Sequence, residues 1–235
     1  MTAPQADGAQ RFLDQFADQQ AIASYAEGPP RYLPGFDAMH RMTGILLNEV
    51  VPMDAHILVL GAGGGLEINA LAETYPGWRF TGVDPARPML DLAEAALASV
   101  RERVDLIEGL IDAAPAGPFD GATCLLTLHF LDRSERVRTL RAIRERLKPG
   151  APFVAVHSSF PQETEARDRW LDRYAAFALS SGAPAEQVAQ ARSAVASSLS
   201  LFTPAEDEAM IHEAGFAHVE PFFSAFTWHG WIAYG

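Results

Sequence analysis

The stretch Leu58-Val59-Leu60-Gly61-Ala62-Gly63-Gly64-Gly65-Leu66-Glu67 decides the fold of this chain. Before the glycines, an apolar run predicts a buried strand over 56–60, and after them, apolar spacing predicts a helix over 66–74. Glycines at alternate positions let the backbone adopt positive φ angles and approach a ligand closely. A purely structural tight turn is the alternative interpretation of this loop.

The spacing of the glycines distinguishes between two classes of ligand. Dinucleotide enzymes use G-x-G-x-x-G, whose last glycine packs the helix near a pyrophosphate. Leu66 occupies that last position here, and Glu67 follows in the first turn of the predicted helix. A carboxylate there repels a pyrophosphate but tolerates a ligand that carries an ammonium and a sulfonium charge. An NAD-dependent enzyme is therefore disfavoured.

The segments around this loop alternate between strand and helix patterns. Strands are predicted over 56–60, 78–83, 104–107, 119–126 and 152–157, and helices over 66–74, 88–100 and 133–147. Upstream, a helix over 36–51 is predicted from apolar residues at helical spacing, namely Met39, Met42, Ile45, Leu46 and Val50. Strands that alternate with helices predict an α/β fold with a doubly wound, mostly parallel sheet.

This alternation breaks after the fifth strand. Residues 160–201 predict an inserted helical cap, and Thr203, Pro204 and Glu206 form a helix start with a capping residue. The predicted elements are helices over 163–179, 185–199 and 205–214 and strands over 218–223 and 226–234. The predicted domains are a lead-in or lid (1–36), a core domain (37–159 and 202–235) and the cap (160–201).

Composition limits the class of partner. The chain has 235 residues, a formal net charge of −12 and one cysteine, Cys124, in an apolar run. A lone cysteine fits a reducing compartment, and the polar N-terminus lacks the pattern of a signal peptide. With 18 basic against 30 acidic residues, we expect no nucleic-acid partner. No apolar stretch reaches the length of a membrane span, so we expect a cytoplasmic protein that acts on a small molecule, with a homodimer left open and no metal predicted.

Asp84 follows the second predicted strand at the edge of the sheet where ligands bind. An acid at that place accepts hydrogen bonds from ribose hydroxyls. Its alternative role is to cap the next helix, which Pro85 helps to start.

Residues 56–157 resemble the class I S-adenosylmethionine methyltransferases. The residues that carry this resemblance are Gly61-Ala62-Gly63-Gly64-Gly65, Gly82-Val83-Asp84-Pro85-Ala86-Arg87-Pro88-Met89, Phe119-Asp120, Leu128-His129-Phe130-Leu131 and Leu147-Lys148-Pro149-Gly150. The resemblance implies a Rossmann-like methyltransferase fold, whose seven-stranded sheet ends in an antiparallel strand. It also implies S-adenosylmethionine as cofactor and S-adenosylhomocysteine as product.

The same resemblance implies where the cofactor lies. Gly61, Ala62 and Gly63 would lie under its methionine half, and Asp84 with Pro85 would bind the ribose. Met89, Gly109 and Leu110 would lie near the adenine, and Leu126 would contact another part of the cofactor. Many members carry an acid where this chain has Leu110, so one usual polar contact to adenine is missing. Tyr32 either closes over the cofactor from the lead-in or packs beside Pro34.

A narrower resemblance links the chain to the carboxy-S-adenosylmethionine synthases. It is carried by Arg31-Tyr32-Leu33-Pro34-Gly35-Phe36, Thr127-Leu128-His129-Phe130-Leu131 and Ala214-Gly215-Phe216. Those enzymes take the carboxyl group from prephenate and hold the extra carboxylate of the cofactor with a cap arginine, whose place Arg192 occupies. Leu125 departs from the polar residue usual in that group, as Leu110 departs from the usual acid.

Methyl transfer from a sulfonium requires an acceptor held in line with the methyl group, and some acceptors also need a base. His129, at the predicted rim of the site, is the candidate base, with loop support as its alternative role. His157, Tyr174 and Arg192 are candidate substrate contacts, each with ordinary packing or solvation as the alternative.

The sequence thus predicts an S-adenosylmethionine-dependent methyltransferase that acts on a small, partly apolar acceptor, which could carry a carboxylate. A carboxy-S-adenosylmethionine synthase is one alternative, and a non-catalytic sensor that binds the cofactor is another.

Overall fold

A computed structural model describes residues 28–235 of the chain. The helices are α1 Gly28–Tyr32, α2 Phe36–Asn48, α3 Leu66–Thr74, α4 Arg87–Ala96, α5 Arg133–Arg144, α6 Thr164–Ser180, α7 Ala185–Ser198 and α8 Pro204–Glu213. The strands are β1 His56–Leu60, β2 Arg79–Asp84, β3 Val104–Glu108, β4 Gly121–Leu125, β5 Pro152–Ser158, β6 Ala217–Ala225 and β7 Trp228–Tyr234. The first 27 residues of the lead-in, and with them the prediction that no signal peptide is present, lie outside the described residues.

The strands form one seven-stranded sheet in the order β3-β2-β1-β4-β5-β7-β6. The first five strands run parallel, whereas β7 is antiparallel to both β5 and β6. This arrangement confirms the predicted doubly wound α/β fold with an antiparallel last strand. The strand order reverses between β1 and β4, and ligands of such folds bind at the carboxyl ends of the strands at that reversal.

Both faces of the sheet are covered, which explains why the central strands are apolar without alternation. Ile57 and Val59 of β1 belong to the apolar cluster that contacts α2 and α3, which we call the α2 face. Leu58 and Leu60 of the same strand belong to the cluster that contacts α5 and α8, which we call the α5 face. Successive side chains of a strand point to opposite faces, so the parity of a residue, meaning its odd or even position along the strand, decides which face it reaches.

One prediction about the N-terminal helices is wrong in part. The apolar stripe predicted over 36–51 includes Ile45 and Val50, but α2 ends at Asn48, before Val50, and the two side chains are 56% and 49% exposed. The buried face of α2 instead follows Phe36, Met39, His40, Thr43 and Leu47. The lead-in contains the short helix α1, because prolines fit the first turn of a helix, where no amide donor is needed.

Smaller corrections concern element ends. The helix predicted over 88–100 stops at Ala96 and continues as a 3₁₀ turn, Ala98–Arg103. Strand β4 ends at Leu125 because Leu126 adopts a positive φ of 57°. The predicted start of α8 is confirmed, since the Thr203 hydroxyl accepts a bond from the Glu206 amide and Glu206 accepts one from the Thr203 amide.

The cap is a helical hairpin of α6 and α7. Its small apolar centre consists of Ala178, Ala183 and Val188, against which Tyr32 of the lead-in also packs. The cap is therefore joined to α1 as well as to the core, while the division of the chain into domains stays a prediction. Among residues 28–235, no helix has the length and apolar character that crossing a membrane requires.

Candidate functional site

The glycine loop after β1 has a backbone that other residues cannot easily adopt. Gly61 has a φ of +79°, and a Cβ added there would lie 1.9 Å from Thr127 Oγ1. The amide of Gly61 donates to the carbonyl of Val83, 2.8 Å away, which ties the loop to the end of β2. Positive φ and close approach are the two conditions that favour glycine.

Asp84 holds the same loop from the end of β2. Its side chain is buried, with Oδ2 accepting from the Gly63 amide and Oδ1 from the Ala86 amide, both at 2.9 Å. Burial raises the pKa of this carboxyl, while the two amide donors act in the opposite direction. A carboxylate oxygen has more than one lone pair, so Asp84 still has capacity to accept bonds from a diol.

Two adjoining cavities lie at this edge of the sheet, of about 610 and 970 Å³ with their open mouths included. They share Gly61, Asp84, Thr127 and Phe130, so one elongated ligand can occupy both. Their sizes fall in the range usual for small-molecule sites.

The first cavity collects the residues expected around the adenine and ribose. Pro85, Gly109 and Leu110 line it, together with Asp84. Gly109 has a φ of +146°, and Leu110 is 39% exposed at the mouth. Met89, predicted near the adenine, lines the second cavity and not the first.

The second cavity lies on the α2 face, under α1 and the cap. The predicted residues that line it are Tyr32, Gly61, Ala62, Gly63, Met89, Leu126, His129 and Tyr174. The rings of Tyr32 and Tyr174 stack with centroids 5.4 Å apart, and Trp228 Nε1 donates to the Tyr32 carbonyl at 3.1 Å. The lead-in, the cap and β7 thus meet in one wall.

Sequence reasoning gave no site role to several residues that line this cavity, namely Phe36, His40, Phe130 and Trp228, and it treated Glu67 only as a carboxylate compatible with a cationic ligand. Phe36 and His40 are spaced four apart on the buried face of α2, so a helical pattern that included histidine would have found them. Trp228 carried no such signal, because it reaches the cavity from the far end of the chain.

His129 lines the second cavity, but its bonding does not suit a general base. Its Nδ1 accepts from the Ser158 amide at 3.2 Å, which leaves the proton of the neutral ring on Nε2. Burial, with the neighbouring His157 and Arg136, lowers the pKa of His129 well below its ordinary value. The neutral ring therefore has an N–H group to donate, and its bonding argues against the predicted role as a base.

His157 does not reach the cavity, and the prediction of a substrate contact is corrected. Val156 faces the α2 side, so its neighbour His157 points to the α5 side. There His157 is 1% exposed and its Nε2 lies 3.1 Å from Asp207 Oδ1. Asp207 also pairs with the equally buried Arg136, so the three residues form a buried charged cluster outside the site.

Arg192 does not turn inward either. Its Nη2 lies 2.8 Å from Asp172 Oδ1 and 3.7 Å from Asp168 Oδ1, on the surface between α6 and α7. The prediction that it contacts a ligand is corrected, because two acidic residues on the neighbouring helix hold the guanidinium away from the cavity.

Comparisons with known proteins agree with this geometry. A family model described as a methyltransferase domain matches residues 58–153. The carboxy-S-adenosyl-L-methionine synthase of Chromohalobacter salexigens is 27% identical over 92% of this chain and 82% of its own length. That of Methylococcus capsulatus is 26% identical over 95% of both chains.

Solved structures share the fold at low identity. A putative O-methyltransferase from Nostoc punctiforme has a TM-score of 0.67 and 21% identity, and this chain, matched over its full length, spans 64% of that one. The magnesium protoporphyrin IX methyltransferase of Synechocystis, solved with bound S-adenosylmethionine, has a TM-score of 0.65 and 12% identity, with 99% of each chain covered.

The fold, the glycine loop and the match to a methyltransferase domain make this chain similar to the class I S-adenosylmethionine methyltransferases. Within that class, the chain resembles the carboxy-S-adenosylmethionine synthases. The comparisons support S-adenosylmethionine as the cofactor and a cofactor-using enzyme as the kind of protein.

Proposed function

We propose that this protein is an S-adenosylmethionine-dependent methyltransferase that acts on a small-molecule acceptor. The observation that carries the proposal is the pair of adjoining cavities that share Gly61 and Asp84. The first cavity suits the nucleoside, and the second has room for the methionine half and an acceptor beneath the cap. Its aromatic wall fits a partly apolar acceptor.

When bound, the cofactor supplies an activated methyl group. The task of the chain's own residues is therefore to position and orient the acceptor and to exclude water. Gly61 and Gly63 give the ligand access to backbone, and Asp84 fixes that backbone while offering oxygens to hydroxyl groups. Tyr32 and Tyr174 close the far wall and keep water out. The N–H group of His129 donates a hydrogen bond to an acceptor oxygen, which keeps a second lone pair for attack on the methyl group and is held in line.

Carboxy-S-adenosylmethionine synthesis from prephenate is the second candidate, because relatives with that name align over nearly the whole chain. Two residues argue against it here. Arg192 pairs with Asp172 instead of facing the cavity, and Leu125 gives the cavity an apolar surface where the synthases tend to have a polar residue.

The two functions are separated by mass spectrometry of the small molecules released from the purified, denatured protein. S-adenosylmethionine or S-adenosylhomocysteine alone, also after incubation with prephenate, supports a methyltransferase and directs the search to acceptors. A cofactor heavier by one carboxyl group overturns our proposal in favour of the synthase. Tight binding of S-adenosylmethionine without turnover on any acceptor panel would favour a sensor.

Other aspects of the proposal rest on the sequence. A cytoplasmic location and the lack of a nucleic-acid partner stay predictions from composition and charge, and a homodimer stays open.

A further inference from the structure

Glu67 is a buried carboxyl that the proposed function leaves without a role. It lies in the first turn of α3, directly after the glycine loop, and it lines the second cavity. Its side chain is 7% exposed, and its Oε1 atom is buried with no hydrogen-bond partner among the described residues. A carboxyl group buried in this way is costly to ionise unless a positive charge meets it.

Among residues 28–235, the immediate surroundings of Glu67 do not supply that charge. Burial raises the pKa of Glu67 to about 7, even though the hydroxyl of Thr123 lies near enough to oppose this rise. Neither Glu67 Oε1 nor Thr123 Oγ1 meets the geometry of a hydrogen bond. Cys124, on the same strand as Thr123, is buried with a raised pKa and stays a neutral thiol.

The other titratable groups around the cavity are neutral or already engaged. Burial lowers the pKa of His40 to about 4 and that of His129 far below its ordinary value, so both rings are uncharged at neutral pH. Burial raises the pKa of the Tyr32 and Tyr174 hydroxyls, which therefore stay protonated. Asp84 already accepts bonds from two backbone amides.

The wall opposite the glycine loop favours a cation. Tyr32, Tyr174 and Trp228 line the same cavity, and the faces of such rings attract ammonium groups. A ligand group that is positively charged, small and a hydrogen-bond donor would satisfy both the carboxyl group of Glu67, which lines the cavity, and these rings.

We propose that Glu67 is the counter-ion for a primary ammonium group bound in the second cavity. The ammonium group could come from two sources: the methionine half of the cofactor or an amine acceptor. The inference rests on the proposed cofactor site but not on methyl transfer, so it is tested by binding alone.

The first experiment measures binding at pH 8 by calorimetry with two nucleosides. S-adenosylhomocysteine carries the amino acid group, whereas 5′-methylthioadenosine has the same nucleoside and thioether without it. For Glu67→Gln we expect a loss of about tenfold or more in affinity for S-adenosylhomocysteine and little change for 5′-methylthioadenosine. Only S-adenosylhomocysteine carries the ammonium group that would pair with Glu67. Glu73→Gln, an exposed change of the same kind on the same helix, should leave both affinities unchanged.

A second arm tests the other source of the ammonium group. The wild type saturated with S-adenosylhomocysteine is titrated with phenethylamine and, as the neutral control, with 2-phenylethanol. If Glu67→Gln keeps the nucleoside affinities but loses binding of phenethylamine alone, the amine acceptor is the source. If neither S-adenosylhomocysteine nor phenethylamine distinguishes Glu67→Gln from the wild type, the proposal is wrong.

A measurement on the wild type guards against a variant that fails to fold. At pH 6 the free protein holds Glu67 mostly protonated, and an ammonium ligand favours its ionised form, so binding should release up to about one proton. Calorimetry of S-adenosylhomocysteine and of phenethylamine in buffers of different ionisation enthalpy measures this release. Binding of both probes with no proton released would contradict the role of Glu67.

Discussion

The two halves of the site are built in different ways. At the glycine loop, the ligand-facing surface is backbone, shaped by Gly61 and tied to β2 through Asp84. Under the cap, the surface is made of side chains from α1, α6 and β7, and Tyr32, Tyr174 and Trp228 meet there through long-range contacts.

This difference separates the part of the site that binds the shared cofactor from the part that selects an acceptor. Backbone geometry around the glycine loop tolerates few substitutions and fits a ligand that the whole fold class shares. The wall under the cap can change one side chain at a time without disturbing the sheet, which suits it to select an acceptor. The predictions below test whether the loop half and the rest of the molecule respond differently to change.

The largest effect is expected at the glycine loop. Gly61→Ala would place a methyl group 1.9 Å from Thr127 Oγ1 at a φ of +79°, so the loop must shift. We expect affinity for S-adenosylhomocysteine to fall by about a hundredfold or more, because one carbon displaces the backbone that faces the ligand. Gly182→Ala, at a φ of +82° but in open space, is the matched control, with a cost of roughly 1–2 kcal/mol in stability and unchanged binding. Normal binding by Gly61→Ala would show that the loop is not the ligand surface.

The buried charged cluster should affect stability and not binding. Asp207→Asn leaves Arg136 without its charged partner at sites that are each 1% exposed, so we expect a loss of about 3–5 kcal/mol in the free energy of unfolding. Glu213→Gln, which breaks the exposed pair with Arg133, should cost under about 1 kcal/mol. Urea unfolding of both variants measures this contrast. A similar cost for the two would mean that burial does not set the strength of these pairs.

The pH dependence of stability tests the environment of Glu67. The pKa of Glu67 in the ligand-free folded protein is about 7, above the ordinary value of 4.5, so the unfolded chain ionises this carboxyl more readily. This group therefore destabilises the fold above pH 7, and the penalty fades as the pH falls toward 5. Glu67→Gln should be more stable than the wild type by up to about 3 kcal/mol at pH 8 and by under about 1 kcal/mol at pH 5. Equal differences at the two pH values would contradict the raised pKa.

The smallest effect is expected on the cap surface. Arg192→Ala removes partly exposed ion pairs with Asp168 and Asp172, so we expect under about 1 kcal/mol in stability and no change in affinity for S-adenosylhomocysteine. Asp172→Ala is the matched control and should behave alike. If Arg192→Ala alone weakened the binding of a carboxylated cofactor, the arginine would belong to the site, and the synthase would regain support.

The sequence predicted most of what is local. The glycine loop, the alternation of strands with helices and the capping start at Thr203 all depend on neighbours within a few residues, and each appears in the structure. It went wrong where a side chain's direction decides its role. His157 was expected in the site, but its parity on β5 sends it to the α5 face, and Arg192 is held outward by acids on another helix.

By itself, the sequence determined the sheet, the place of the glycine loop on it and the class of cofactor, because strand and turn patterns depend on residues that are close together in the sequence. The tertiary structure decided the other half of the site. Phe36, His40, Tyr174 and Trp228 come together only when α2, the cap and β7 pack over one face of the sheet. The same packing buries the Oε1 atom of Glu67 without a hydrogen-bond partner among residues 28–235, since the burial of a side chain depends on everything that folds around it.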